Sequence, residues 1–145
     1  MIKILYAGRV SPIKDISTLQ KAAVILKAKL TINSNYAYRD IAKLFKSFDV
    51  IVVPTLSKAL DKVFLEGLAC GVPTIGSDIG YPFMVELFPK LVFKATDVND
   101  LIEKIRWHIN NKNRSKIVIA KAKRYIEENF NLEKLMTKIV ESFNE

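Results

Sequence analysis

The residues with the clearest chemical potential follow the first apolar run of the chain. Residues 2–7 are typical of a short buried strand, which Gly8 ends. Arg9 and Lys14 come next, just before Asp15, a residue type that often caps the N-terminus of a helix. A guanidinium and an ammonium beside a helix N-terminus attract phosphate. The pattern therefore predicts a diphosphate site, with two surface cations near a turn as the alternative.

Glu66 is the second candidate. It lies in a predicted helix over residues 62–70, among the apolar side chains Val63, Leu65 and Leu68. Acidic side chains are rarely buried without partners, so Glu66 either lies on an outward face or binds a ligand. A carboxylate is suited to ribose because it accepts hydrogen bonds from both hydroxyls.

Short apolar runs alternate with helical patterns along the chain. The clearest strand is the run of β-branched residues at 50–53, which predicts burial on both faces, as in a parallel sheet. We expect one α/β domain over residues 1–145, a Rossmann-like doubly wound parallel sheet of about five strands flanked by helices. The predicted strands cover residues 2–7, 30–32, 49–53, 74–76 and 91–93. The predicted helices cover residues 15–29, 38–47, 62–70, 97–109, 114–129 and 131–143.

In such sheets, ligands bind outside the carboxyl ends of the strands. This rule points to the predicted loops at residues 8–14, 33–36, 54–62 and 77–82.

Composition narrows the possible classes of protein. Half of the 145 residues are apolar, but no apolar run is long enough to cross a bilayer, and no signal peptide is visible. We therefore expect a cytoplasmic protein. Cys70 is the only cysteine and His108 the only histidine, which excludes an internal disulfide and a metal site built on several histidines. The net charge of +8 favours polyanionic partners, among them nucleotides, nucleic acid and acidic lipid.

Taken in order, these motifs resemble the C-terminal donor-binding domain of GT-B glycosyltransferases of the family-4 type, the "glycosyl transferases group 1". The resemblance covers nearly the whole chain. The matching stretches are Gly8-Arg9 with Lys14, residues 48–54, Leu65-Glu66 with residues 69–73, and residues 77–80.

The resemblance implies roles for individual residues. Arg9 and Lys14, after the Gly8 turn, would hold the donor diphosphate and neutralise charge on the departing nucleoside diphosphate. Glu66 would hold the ribose. The loop at residues 33–36 falls where the family receives the base, and Tyr36 would stack there, with a core or rim aromatic as the alternative. The implied reaction is sugar transfer from a nucleoside-diphosphate-sugar, with retention at the anomeric carbon. The donor is a substrate, and neither a cofactor nor a metal is expected.

The sequence departs from the family at the sugar end of this site. Lys58 stands eight residues before Glu66, where the family's Glu-x7-Glu motif has its first glutamate. A lysine cannot accept hydrogen bonds from sugar hydroxyls, but it can pair with phosphate or with an acidic sugar, so Lys58 joins Arg9 and Lys14 as a catalytic candidate. Asp61 and Tyr81 also occupy usual glycine positions, and Asp61 is well placed to cap the N-terminus of the following helix. The alternative is a degenerate nucleotide-binding module without transfer activity.

Further partners follow from the resemblance and from charge. Family members carry a separate N-terminal acceptor-binding domain, and we expect such a domain or a partner chain to complete the enzyme. Residues 101–125 contain eight Lys or Arg and one acid, interleaved with isoleucines. Solvated basic helix faces explain this pattern, and peripheral docking on an anionic membrane is the alternative. Nucleic acid is the least favoured partner, because no reading helix or aromatic platform is recognisable.

Overall fold

The computed structural model describes residues 1–35, 40–58 and 60–130. Five parallel strands form one sheet in the order β2-β1-β3-β4-β5. The strands are β1 (Lys3–Ala7), β2 (Lys29–Asn33), β3 (Val50–Val53), β4 (Thr74–Ser77) and β5 (Val92–Phe93). The helices are α1 (Ile16–Leu26), α2 (Ile41–Lys46), α3 (Lys62–Ala69), α4 (Val98–Asn110) and α5 (Lys112–Asn129). The predicted fold class, a five-stranded doubly wound α/β sheet, is confirmed.

The central strand β3 is buried on both faces, as its apolar run predicted. All four residues of β3 are buried, and the strand lies between β1 and β4, with Ile4 beside Val50 and Val53 beside Gly76. Helices α1 and α4 pack on one face, where Leu19 and Leu101 are fully buried. The other face is covered by α2, α3 and α5.

Capping residues and left-handed turns explain where α1 begins and where α1 and α3 end. The carboxylate of Asp15 accepts hydrogen bonds from the backbone and hydroxyl of Thr18 at the start of α1. The predicted end of α1 at residue 29 was wrong: the helix ends at Leu26, because Lys27 takes a left-handed conformation with φ 54° and Lys29 already belongs to β2. Helix α3 ends as predicted, before Gly71 with φ 77°.

Two predicted helices include residues that the structure does not describe. Helix α2 begins at Ile41, and residues 36–39 of the helix predicted over 38–47 lie outside the described residues. The helix predicted over 131–143 lies outside them as well.

His108 has a structural position where α4, α5 and the segment before β5 meet. Its Nε2 lies 2.8 Å from the carbonyl oxygen of Lys90, and its Nδ1 lies 2.6 Å from the hydroxyl of Ser115. A carbonyl only accepts, so Nε2 carries the hydrogen and Nδ1 accepts from Ser115. Burial lowers the pKa of His108, which favours this neutral form.

Candidate functional site

The site begins where β1 ends. Gly8 has φ 141°, a conformation that side-chain-bearing residues rarely adopt, and its N–H donates to the carbonyl of Asn33 at the end of β2 (3.1 Å). The next residue, Arg9, is exposed, and its carbonyl accepts a hydrogen bond from the hydroxyl of Tyr6. Tyr6 thus fixes the turn that presents the arginine.

Lys14 lies at the end of a short 3-10 turn, Pro12–Lys14, which leads into α1. The backbone N–H of Leu56 donates to the carbonyl of Ile13 (2.7 Å), so the loop after β3 lies against this turn. The Nζ of Lys14 is 3.4 Å from Oδ2 of Asp61, and both side chains are partly buried. The lysine predicted to bind phosphate therefore already pairs with a carboxylate from another loop.

Three contacts hold Asp61 at the N-terminus of α3. Its Oδ1 accepts from the backbone N–H of Val63 (3.1 Å), so the residue caps the helix as its type predicted. Its Oδ2 pairs with Lys14. Its backbone carbonyl accepts a hydrogen bond of 2.9 Å from the hydroxyl of Tyr81.

Tyr81 fills the space between β4 and α3. Its side chain is fully buried, and its ring stacks on Phe64 with centroids 4.0 Å apart. A Cβ added to Gly76 would lie 2.2 Å from Cδ2 of Tyr81, so the ring packs directly on the strand backbone. The loop after β4 folds over the same edge, because the N–H of Gly80 donates to the hydroxyl of Ser77 (3.0 Å).

Glu66 lies inside the molecule, with an exposed fraction of 1%. The outward-face alternative is therefore wrong. Its Oε2 is buried and has no hydrogen-bond partner among the described residues. Burial raises the pKa of Glu66 to about 7, the negative charge of Asp61 adds to the shift, and Lys62 opposes it. A buried carboxylate oxygen without a donor costs free energy that hydroxyls of a ligand would recover.

The structure brings some of the predicted site residues together. Asp61 connects two of them, because its carboxylate pairs with Lys14 and its charge acts on Glu66. Lys58 is exposed in the loop between β3 and α3, and its predicted role stays a prediction, as does that of Arg9. Tyr36, predicted to contact the base, lies outside the described residues.

Sequence reasoning missed Tyr6 as a residue of this edge. Burial, together with the charge of Asp61, raises the pKa of Tyr6 to about 12, so the phenol stays protonated and donates its hydrogen bond. The available signal was a hydroxyl in the otherwise apolar segment Ile4-Leu5-Tyr6-Ala7.

Known proteins are similar to this chain in sequence. A family model described as "Glycosyl transferases group 1" matches residues 2–111. A D-inositol 3-phosphate glycosyltransferase of Mycobacterium tuberculosis is 31% identical over 55 residues, which are 38% of this chain and 12% of that protein. The match thus spans only a small part of that relative.

Solved structures share the fold at low sequence identity. Sucrose-phosphate synthase of Thermosynechococcus elongatus is 19% identical with a TM-score of 0.80, over 99% of this chain and 45% of that one. The catalytic domain of cholesterol-alpha-glucosyltransferase from Helicobacter pylori is 17% identical with a TM-score of 0.74, over 88% of this chain and 98% of that one. The family match covers most of the chain, and the fold agrees with it: this chain belongs to the glycosyl transferases group 1 family.

Proposed function

We propose that this chain is the donor-binding domain of a family-4 type glycosyltransferase, which transfers a sugar from a nucleoside-diphosphate-sugar to an acceptor. The observation that carries the proposal is the buried Oε2 of Glu66, which has no hydrogen-bond partner among the described residues and which a ribose hydroxyl would satisfy. Family membership supports the class of ligand. Among the structural neighbours, S. aureus TarM was solved with UDP and starch synthase IV of Arabidopsis thaliana with ADP, which suggests nucleotides to test.

In this proposal, Arg9 and Lys14 stabilise the negative charge that grows on the leaving diphosphate as the bond to the sugar breaks. Glu66 accepts hydrogen bonds from the ribose hydroxyls, and Tyr36 contacts the base. Lys58 faces the sugar or its phosphate in place of the family's glutamate. Transfer proceeds with retention and without a metal, since the two cations supply the charge that a metal would supply elsewhere.

An acceptor-binding domain or partner chain belongs to the same proposal. Sugar transfer requires that the acceptor be held against the donor sugar and that water be kept out. The described residues form one sheet with its covering helices, so in this proposal the acceptor is held by such a second unit.

Calorimetry with UDP, GDP and ADP tests the proposal. We expect one nucleotide to bind, and Arg9→Ala and Glu66→Gln each to weaken binding at least tenfold, as the loss of a charge-assisted hydrogen bond would. Arg106→Ala and Glu103→Gln are matched controls, because both residues are exposed on α4. Equal affinity of all five proteins, or no binding of any nucleotide, would refute the donor site.

A module that binds nucleotide without transfer is the second candidate. The ion pair between Lys14 and Asp61 favours it, since it neutralises a cation that transfer would use. Release of free nucleotide from the matching sugar nucleotide distinguishes the two functions. A transferase releases nucleotide when the acceptor-binding unit and acceptor are supplied, and Lys14→Ala slows the release. A module releases none under the same conditions.

For location, we propose a cytoplasmic protein that contacts anionic membrane through α5. The exposed side chains of α5 include Lys112, Lys116, Lys121 and Arg124, beside Ile117 with an exposed fraction of 56%. Basic helix faces with an apolar residue bind acidic lipid headgroups. In the described part of the chain, no helix is long and apolar enough to cross a membrane.

Co-sedimentation with phosphatidylserine vesicles at low salt tests the membrane contact. We expect binding that a Lys116→Glu and Lys121→Glu double variant abolishes. Retention of binding in that variant would place the contact elsewhere. Oligonucleotides are the comparison, and we expect them not to compete with the vesicles, because nucleic acid is the least favoured partner.

A further inference from the structure

The side chain of Asp61 lies at the N-terminus of α3, beside Lys14. Its two carboxylate oxygens contact two anion-attracting groups, the backbone N–H of Val63 at the start of α3 and the ammonium of Lys14. These are the groups that an incoming phosphate would seek.

We propose that Asp61 is a built-in competitor of the donor diphosphate, which a ligand must displace from Lys14 before it can bind. The inference rests on the proposed function, because it assigns a regulatory contact to the same site. It concerns a residue of this chain that stands where the resemblance leads one to expect glycine.

Two features make displacement possible without unfolding of the site. The carboxylate is partly exposed, and its 3.4 Å contact with Lys14 is a long one for a charged pair, so the side chain can rotate toward solvent. The backbone stays in place, because the hydroxyl of Tyr81 holds the carbonyl of Asp61 from a fully buried position. The carboxylate therefore returns to Lys14 when the ligand leaves.

The negative charge of Asp61 determines the direction in which its removal changes the affinity for a diphosphate. With Asp61 in place, the positive charge of Lys14 is neutralised, and a second anion at this point meets like charge. The same carboxylate raises the pKa of Glu66, so it also opposes ionisation of the predicted ribose acceptor. Removing its charge therefore strengthens binding of a diphosphate.

Calorimetry with inorganic pyrophosphate and with UDP tests the inference on the whole chain. Asn caps helices as well as Asp does, so Asp61→Asn keeps the helix cap and removes only the charge. We expect Asp61→Asn to bind both probes about tenfold more tightly than the wild type. Adding Lys14→Ala should remove the gain. Asp61→Gly, with the residue usual in the family, is a second variant that should show the same direction.

Asp97→Asn is the matched control. Asp97 caps α4 through the N–H of Asp100 (3.0 Å), as Asp61 caps α3, and its substitution should leave both affinities unchanged. Unchanged or weaker binding by Asp61→Asn overturns the inference, and so does an equal gain in Asp97→Asn.

The two probes separate this inference from the proposed function. Tighter pyrophosphate binding by Asp61→Asn, with UDP no better than pyrophosphate and no effect of Glu66→Gln, supports the competitor and refutes the nucleotide site. UDP binding that depends on Arg9 and Glu66 but not on Asp61 supports the nucleotide site and refutes the competitor. Absence of binding of either probe to every variant refutes both.

Discussion

The hydroxyl of Tyr81 donates a hydrogen bond of 2.9 Å to the backbone carbonyl oxygen of Asp61. Both residues stand where the resemblance to the family predicts glycine, and they contact each other. The tyrosine ring fills the space beside Gly76, and its hydroxyl fixes the residue that pairs with Lys14. One contact therefore ties the loop after β4 to the start of α3.

Substitution of Tyr81 separates the hydrogen bond from the packing. We expect Tyr81→Phe to lower the free energy of unfolding by about 1 kcal/mol, the usual contribution of one hydrogen bond. Tyr81→Ala also removes the ring stacked on Phe64 and leaves a cavity, and it should cost about 3–5 kcal/mol. Urea denaturation measures both. Equal losses in the two variants would contradict the stacking of Tyr81 on Phe64.

Substitution by alanine should have different effects at Gly76 in β4 and at Gly71, which follows α3. At Gly76 the added Cβ would lie 2.2 Å from Tyr81, and the buried ring has little room to move, so we expect a loss of about 2–4 kcal/mol. At Gly71 no atom of the described residues beyond its chain neighbours lies within 4 Å of the added Cβ. The cost there is the left-handed φ of 77°, at about 1 kcal/mol. Thermal or urea unfolding would show Gly71→Ala as the milder variant. The opposite order would exclude the close approach of Tyr81 to β4.

Glu66 makes the domain's stability depend on pH. Its pKa is raised to about 7 in the fold from an ordinary value of 4.5, so its neutral form favours the folded state. This contribution is complete below pH 4.5 and is lost as pH rises toward 7. Glu66→Gln should therefore be more stable than the wild type at pH 8 by about 2–3 kcal/mol, and the gain should disappear at pH 4.5. Urea titrations at the two pH values measure the difference, and a gain independent of pH would contradict a titrating Glu66.

Nucleotide binding should release protons from the same carboxylate. Ribose hydroxyls donate to the ionised form, so a bound ligand lowers the pKa of Glu66 from about 7 and binding tightens from pH 6 to pH 8. Calorimetry at pH 7 in buffers with different ionisation enthalpies measures the protons released. The phosphates of the ligand titrate as well, so the signal is the difference between the wild type and Glu66→Gln. Equal proton release by both proteins would mean that the ribose does not contact Glu66.

His108 should make stability depend on pH in the direction opposite to Glu66. Burial lowers its pKa below the ordinary value of 6.5, so its contribution to stability is present above pH 6.5 and is lost as pH falls through the lowered value. We expect His108→Gln to show a smaller loss of stability than the wild type between pH 7 and pH 5. The comparison is made in a Glu66→Gln background, which removes the opposing titration. Parallel pH profiles would show that His108 is not the group responsible.

Local patterns predicted the five strands and the described helices, apart from the end of α1. The β-branched run of β3 predicted a strand buried on both faces because a parallel sheet covers both sides. Asp61 was predicted as a helix cap from its type and position, and it is one. Residue type could not locate the end of α1, because the left-handed turn at Lys27 follows from the need to enter β2.

The sequence by itself determined the α/β class, the strands and the family, because these depend on periodicity and on the order of short motifs. Only the tertiary structure decided what the site residues contact. Lys14 and Asp61 are 47 positions apart and meet because β1 and β3 are neighbours in the sheet, which brings the loops at their carboxyl ends together. Glu66 could be outward or inward by its spacing alone, and the packing of α3 on the sheet buried it. Local spacing sets which face of an element is apolar, whereas strand order sets which distant side chains share an edge.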